Sequence, residues 1–371
     1  MKIGYDAKRL FHNKTGLGNY SRNLLNALIE YYPQHDYRLF IHKKYLDGSN
    51  YKYKEFVERI VLSEHLVADY WRTNDIAEDM INQEIEIFHG LSNELPLSMP
   101  KGVKKIVTIH DLIFQRYPDF FPFLDRQIYK FKTKSACEQA DVIIAVSTQT
   151  KEDIIEFYGI DAERIVVIPP TWNKHYASQI SIVYLEEIRL KYNLPEQFML
   201  YVGAINSRKN LLKLLEAMLL QEMQDTILII VSDGGEEAEL FYAKIREYKL
   251  ENRVFVLNGI SNFELPAFYK LATICVYPSI YEGFGMPVME ALNLGVPVVA
   301  SDIATMHEVG GDSILYFDPE DKEAMSMAIL KGLNDNTWRT NAIIEGKSQI
   351  QQFSPISCAT KMMEVYSTYT K

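Results

Sequence analysis

Short apolar runs rich in β-branched residues alternate along this chain with longer stretches whose apolar positions recur every three or four residues. The first half carries KIGYD, EIEIFHG, VKKIVTIH, DVIIAV and RIVVIP, and the second carries FMLYVG, TILIIVSDGG, RVFVLNG, ICVYPS and PVVAS. Runs that are apolar on successive residues suit strands buried on both faces, which is the situation of a parallel sheet covered by helices. Helical periodicity fills the intervals, as at residues 19–31 and 123–139. Strand–helix alternation in both halves predicts an α/β protein of two parallel-sheet, Rossmann-like domains, at 1–170 and 171–353. Pro169 and Pro170 end the last strand of the first half and stiffen the crossover. After Pro355 the tail, 354–371, is again helical, with Ile356, Ala359, Met363, Val365 and Tyr366 on one apolar side. That side needs a docking surface, on its own domain or back on the first.

Composition narrows the class. The chain has 371 residues, 47% of them hydrophobic and 24% charged, which is too much for one core and comfortable for two. Lys2, Asp6, Lys8 and Arg9 interrupt the first ten residues, so no signal peptide is expected there. No apolar run reaches the roughly 18 residues of a membrane-spanning helix. Cys137, Cys275 and Cys358 are far apart, without metal-ligand spacing, and read as buried reduced thiols. A cytoplasmic protein is expected. The net charge of −10 argues against nucleic-acid binding. Residues 1–170 hold 22 Lys and Arg against 24 Asp and Glu, and the remainder 17 against 25. The basic residues of the first half cluster at 43–44, 101–105 and 126–134, where they could meet anionic lipid at the inner membrane face; a solvated helix face is the simpler reading.

Candidate chemistry concentrates where the strand ICVYP runs into Ser279-Ile-Tyr-Glu-Gly-Phe-Gly-Met-Pro-Val-Met-Glu-Ala-Leu. Gly283 and Gly285 allow close approach of backbone to a ligand, and Pro287 suits the first turn of a helix. Gly295 and Pro297 end that helix. The N–H groups about Phe284 and Met286 would face an anion or hydroxyl oxygens. Glu282 and Glu290, seven residues apart between them, bracket the turn at the carboxyl end of a strand, where ligands bind in open α/β sheets. Two carboxylates beside such N–H groups suit a polyhydroxylated ligand bearing phosphate. A second segment, Tyr201-Val-Gly-Ala-Ile-Asn-Ser-Arg-Lys-Asn, places Arg208 and Lys209 at a helix start, as a diphosphate would require. A third, Thr15-Gly-Leu-Gly-Asn-Tyr-Ser, is a short glycine loop after the first strand. His110, followed by Asp111, ends the strand KIVTIH, and His89 ends another; each is a cleft candidate or a satisfied structural histidine.

These segments resemble the E-x₇-E signature and accompanying RKN triplet of the retaining glycosyltransferases of family four, once called group one. The resemblance extends over nearly the full chain, through ADVIIAVSTQTKEDI, RIVVIPP and SDIATMHEVGGDSILYFDPED. It implies the GT-B fold, two facing Rossmann-like domains with a C-terminal helix that crosses back to the first. The first domain would bind the acceptor and the second the donor. Glu282 would contact hydroxyls of the transferred sugar, and Glu290 the nucleotide ribose. N–H groups of Gly283, Phe284, Gly285 and Met286 would hold sugar and phosphate oxygens, with Pro287 shaping the turn. Arg208 and Lys209 would grip the diphosphate, though many members carry arginine directly after the glycine, where this chain has Ala204. Gly16 would let its loop close on the diphosphate, and His110 would lie near the reacting centre.

No Asp-x-Asp triplet occurs, so neither a metal nor another cofactor is expected, and the two cations would stabilise the leaving group instead. The RKN triplet resembles that of many mannosyltransferases, which makes GDP-mannose the first expected donor and a UDP sugar the second. A glycan or lipid-linked glycan of surface polysaccharide synthesis is the expected acceptor by the same analogy. A nucleotide-sugar epimerase or hydrolase on the same fold, and a catalytically silent binding subunit, are the rival classes.

Overall fold

A computed structural model describes residues 1–13, 15–45, 56, 58–177 and 180–369. The chain divides into two compact units: Met1–Thr171 with Phe353–Lys371, and Trp172–Gln352.

Unit 1 contains a seven-stranded parallel sheet ordered β3-β2-β1-β4-β5-β6-β7. Its strands are β1 (Lys2–Asp6), β2 (Asp36–His42), β3 (Ile60–Ser63), β4 (Ile87–Gly90), β5 (Lys104–Ile109), β6 (Val142–Ala145) and β7 (Ile165–Val167). Unit 2 contains a six-stranded parallel sheet ordered β10-β9-β8-β11-β12-β13. Its strands are β8 (Met199–Val202), β9 (Leu228–Val231), β10 (Val254–Leu257), β11 (Ile274–Tyr277), β12 (Val298–Ser301) and β13 (Leu315–Phe317). The central strands β4, β6, β9, β11 and β12 are buried at every position, as sheets covered on both faces must be.

Every apolar run read from the sequence carries a strand, but three strands lie outside those runs. In β2 the apolar pattern is interrupted by Arg38, whose guanidinium pairs with Asp36 at 2.8 Å. The other two, β3 and β13, are short edge strands of four and three residues, mostly only half-buried, and so lack a strong apolar signal. The helix expected at 123–139 spans Phe123–Gln139, and the one expected from residue 19 begins earlier, at Gly16, running to Tyr31.

Strand order reverses once in each sheet, between β1 and β4 in unit 1 and between β8 and β11 in unit 2. Helices that leave neighbouring strands in opposite directions open a crevice at the strands' carboxyl ends. The register fixes which residues border it: Tyr5 lies opposite His89, and Cys275 opposite Leu200.

The C-terminal helix, Pro355–Tyr369, belongs to unit 1 and packs on the helix Gly16–Tyr31. Ala359, Met363, Val365 and Tyr366 are buried as their periodicity predicts, with Cys358 and Met362 beside them; Ile356, expected on that side, is 53% exposed. A chain of hydrogen bonds ties this helix to the sheet. The Tyr5 hydroxyl donates to Tyr366 Oη at 3.2 Å, and Tyr366 Oη lies 2.7 Å from His89 Nδ1. His89 Nε2 lies 2.8 Å from Thr108 Oγ1, itself 3.0 Å from the Tyr20 hydroxyl. Burial pushes the His89 pKa down to about 3, so the ring is neutral and can accept one hydrogen bond while donating the other. His89 is thus a structural centre of unit 1, the satisfied structural histidine of the two readings its position allowed.

Removing one hydroxyl from a buried chain strands its neighbours. Tyr366→Phe is expected to destabilise the protein by about 1–3 kcal/mol, seen as a lower urea midpoint at unchanged slope. An unchanged midpoint would show that the chain of bonds contributes nothing.

Candidate active site

The crevice of unit 2 collects residues from two segments more than seventy positions apart in sequence. After β8, the chain passes Gly203 and forms a 3₁₀ turn, Ser207–Lys209, ended by Asn210 in a left-handed conformation at φ 56°. After β11, it runs through Ser279 to Glu282, then turns at Gly285, φ 112°, into the helix Met286–Asn293. At Gly285 it is the positive φ that calls for glycine and not crowding, since an added Cβ would meet only ordinary contacts. Pro287 sits in the first turn of the helix, where no N–H is missed. A backbone bond from Ile280 N to Arg208 O, 2.8 Å, locks the two segments together.

Side chains complete the junction. Arg208 Nη1 donates to Glu282 Oε2 at 2.9 Å, and Lys209 Nζ donates to Glu282 Oε1. Ser279 Oγ donates to the same Oε1 at 2.7 Å. Glu282 and Lys209 are both buried. Burial alone would raise the Glu282 pKa, but Lys209, then Arg208, overcome it and hold the carboxyl at about 2. The three charged side chains sum to one positive charge, with Glu282 and Lys209 buried and the Arg208 guanidinium partly open to solvent. That is an arrangement suited to an anion with hydroxyl groups. Two residues earlier, Asn206 Oδ1 is buried with no hydrogen-bond partner. Such an acceptor is costly unless a ligand or water meets it.

Glu290 lies in different surroundings. It is buried on the helix Met286–Asn293 and accepts a hydrogen bond from the Tyr269 hydroxyl at 3.1 Å. Tyr269 lies 3.4 Å from the hydroxyl of Tyr277. Burial raises the Glu290 pKa to about 7, and the Tyr269 hydrogen bond only partly offsets this. The two glutamates of the signature therefore differ in charge state: Glu282 is fixed as an anion, whereas Glu290 is poised to gain or lose a proton near neutrality. Sequence reading gave the two glutamates different ligands but not different charge states, and it assigned no role to Ser279 or to Tyr269 and Tyr277.

The remaining candidates lie in unit 1. His110 follows β5 and gives its Nε2 proton to Leu91 O at 2.8 Å, leaving Nδ1 as the acceptor. Its backbone N–H is held by Asn93 Oδ1 at 2.8 Å, and the ring meets Tyr20 edge-on, centroids 4.7 Å apart. Burial lowers its pKa to about 4, so it is neutral at pH 7. Gly16 opens the helix Gly16–Tyr31, and a Cβ placed there would meet nothing within 4 Å. Within this glycine loop the steric demand falls on Gly18 instead, where a Cβ would lie 1.9 Å from Asn13 O. The same turn has Asn13 Oδ1 accepting from the N–H groups of Thr15 and Gly18.

Two parallel-sheet units, with a charged cluster at the strand-order reversal of the second, define an α/β protein built from two doubly wound, Rossmann-like sheets. Comparison with known proteins gives the family. Residues 15–173 match the model described as Glycosyltransferase Family 4, and residues 184–349 match Glycosyl transferases group 1. The O-antigen chain mannosyltransferase B of Escherichia coli is 30% identical, over 99% of this chain and 99% of that protein. Sucrose-phosphate synthase from Thermosynechococcus elongatus superposes with a TM-score of 0.75 at 20% identity, covering 99% of this chain and 98% of that one. Anabaena HepE, solved with UDP and glucose, gives a TM-score of 0.75 at 17% identity over 99% of this chain and 100% of that one. The chain belongs to the group 1 glycosyltransferases of family 4. It has the GT-B fold and is a glycosyltransferase.

The unequal glutamates give a test by pH. The folded-state pKa of Glu290, about 7, lies above its ordinary value of 4.5. Its contribution to stability is therefore fully present below pH 4.5 and lost as pH rises through 7, a change of about 3 kcal/mol. Relative to wild type, Glu290→Gln should gain stability progressively across that window in urea titrations. A difference that is flat from pH 4.5 to 7 would place Glu290 in contact with solvent or a cation.

Proposed function

We propose that the protein transfers a hexose from a nucleotide-diphosphate sugar to a glycan or lipid-linked glycan acceptor, with retention at the anomeric carbon and without a metal ion. The observation that carries this reading is the convergence of Arg208 and Lys209 on the buried, ionised Glu282 at the crevice of unit 2. Lys209 and Arg208 neutralise the departing diphosphate, which is the role a metal would otherwise fill. Glu282 accepts hydrogen bonds from hydroxyls of the transferred sugar, and N–H groups from Gly283 to Met286 hold sugar and phosphate oxygens. Glu290 accepts from the ribose hydroxyls. Because its pKa stands near 7, binding of the nucleotide draws a proton off it at slightly acid pH. Gly16 and His110 make substrate contacts from unit 1.

The sugar–phosphate bond breaks through an oxocarbenium-like state. The acceptor hydroxyl attacks from the face the diphosphate leaves, and a phosphate oxygen takes its proton. The protein then supplies alignment and charge neutralisation instead of a covalent nucleophile. GDP-mannose is the first donor to test, in keeping with the name of the E. coli relative, and UDP sugars are the second. The same relative favours a role in surface polysaccharide synthesis.

No helix among the described residues is long and apolar enough to cross a membrane. A peripheral contact at the inner membrane face, from a cytoplasmic protein, is favoured by the helix Phe123–Gln139. Phe123 and Leu124 are strongly exposed there, beside Arg126 and Lys130.

A panel of nucleotide sugars in a thermal-shift assay should single out one base and sugar, and NMR of the product should show the donor's anomeric configuration kept. Glu282→Ala should lower turnover at least about a thousandfold while the circular dichroism spectrum is preserved. Normal turnover in that variant, or an inverted product, overturns the assignment. Flotation with vesicles containing anionic lipid checks the peripheral contact: Leu124→Asp should weaken it, and equal recovery of both proteins would exclude this helix.

A further inference from the structure

Unit 1 has its own crevice at the reversal between β1 and β4, and the structure places a cavity of about 340 Å³ there. That volume falls in the range of small-ligand sites, roughly 300–1,000 Å³. Asp6, the last residue of β1, reaches it from one side. Glu94 reaches it from the loop after β4, which folds so tightly that a Cβ on Gly90 would lie 2.1 Å from Glu94 O. Arg72 joins both carboxylates: Nε donates to Asp6 Oδ2 at 2.5 Å and Nη1 to Glu94 Oε2 at 2.8 Å. It comes from Trp71–Asp75, wound as a π-helical turn, a local widening that recurs at functional sites because it re-aims side chains. Lys132 Nζ lies 3.5 Å from the other oxygen of Glu94. Apolar side chains also line it, among them Leu95 and Leu97 and, beside the polar Gln127 and Ser135, Ile128 and Phe131 of the helix Phe123–Gln139.

The charges decide what such a cavity takes. Two carboxylates and two cations sum to zero, so the cavity is built for neither a phosphate nor a metal ion. It offers acceptors and donors side by side, against an exposed aromatic ring. Vicinal hydroxyls need both kinds of partner, and the C–H face of a pyranose needs an apolar surface. We propose that this cavity binds one neutral pyranose ring of the acceptor glycan, with Asp6, Arg72, Glu94 and Lys132 holding its hydroxyls and Phe131 lying against the ring. The assignment rests on the glycosyl-transfer reading and gives the acceptor a place in unit 1 that uses none of the donor residues.

Titrations of the full chain with methyl α-D-mannopyranoside and, separately, with GDP and UDP test it. Phe131→Ala, at an exposed position that leaves the core untouched, and Glu94→Gln should each weaken glycoside binding about tenfold or more. Both variants should bind the nucleotide as wild type does, whereas Lys209→Ala should lose the nucleotide and keep the glycoside. Equal glycoside affinity in wild type and both cavity variants, or no saturable glycoside binding by a wild type that does bind nucleotide, overturns the acceptor site and leaves the transferase reading standing. A wild type that binds neither nucleotide removes the transferase reading, and the acceptor site with it.

Discussion

A carboxylate taken out of water stays ionised only if cations are fixed beside it, and Glu282 meets that condition through Lys209 and Arg208. Much of the unit 2 site depends on this one cluster. It closes the two loops that follow β8 and β11, with the backbone bond from Ile280 to Arg208 as its second fastening. Leaving Glu282 buried without its cations would cost about 3–5 kcal/mol, so the loops cannot drift apart cheaply. A site organised this way before any ligand arrives spends little reorganisation on binding, and its positive charge is already in place.

The sequence made the architecture readable because parallel strands buried on both faces leave continuous apolar runs, and ten such runs became ten strands. Where burial was partial, as in β3 and β13, or a charge interrupted the run, as Arg38 does in β2, the signal fell below recognition. The site was legible as motifs and illegible as geometry. Glu282, Arg208 and Lys209 stood out by type and by position after a strand, but nothing in the one-dimensional order says that one carboxylate receives both cations. Nor could it show that Glu290, eight residues further along one continuous segment, is buried against the Tyr269 hydroxyl and acquires the opposite pKa shift. Histidines were the hardest to sort. His89 and His110 both end strands, yet one is bonded through Tyr366 and Thr108 into the core and the other is held by the loop after β4. Only the partners, which come from distant segments, separate them.

The two sheets repeat a single solution. Each reverses strand order once, and at each reversal an arginine is set against carboxylates delivered by the ends of neighbouring strands or the loops that follow them. In unit 2 the cluster carries surplus positive charge; in unit 1 it is balanced and bordered by aromatic and aliphatic side chains. On the proposed reading, the same topology presents one cluster for a sugar diphosphate and another for an uncharged sugar, distinguished by charge and lining instead of by fold.

The most direct measurement is a crystal structure of the protein soaked with its preferred nucleotide sugar. The account predicts diphosphate oxygens within hydrogen-bond distance of Lys209 Nζ and the Arg208 guanidinium, sugar hydroxyls on Glu282, and the ribose on Glu290. A nucleotide sugar bound elsewhere, with the Arg208–Glu282–Lys209 cluster untouched, would contradict it.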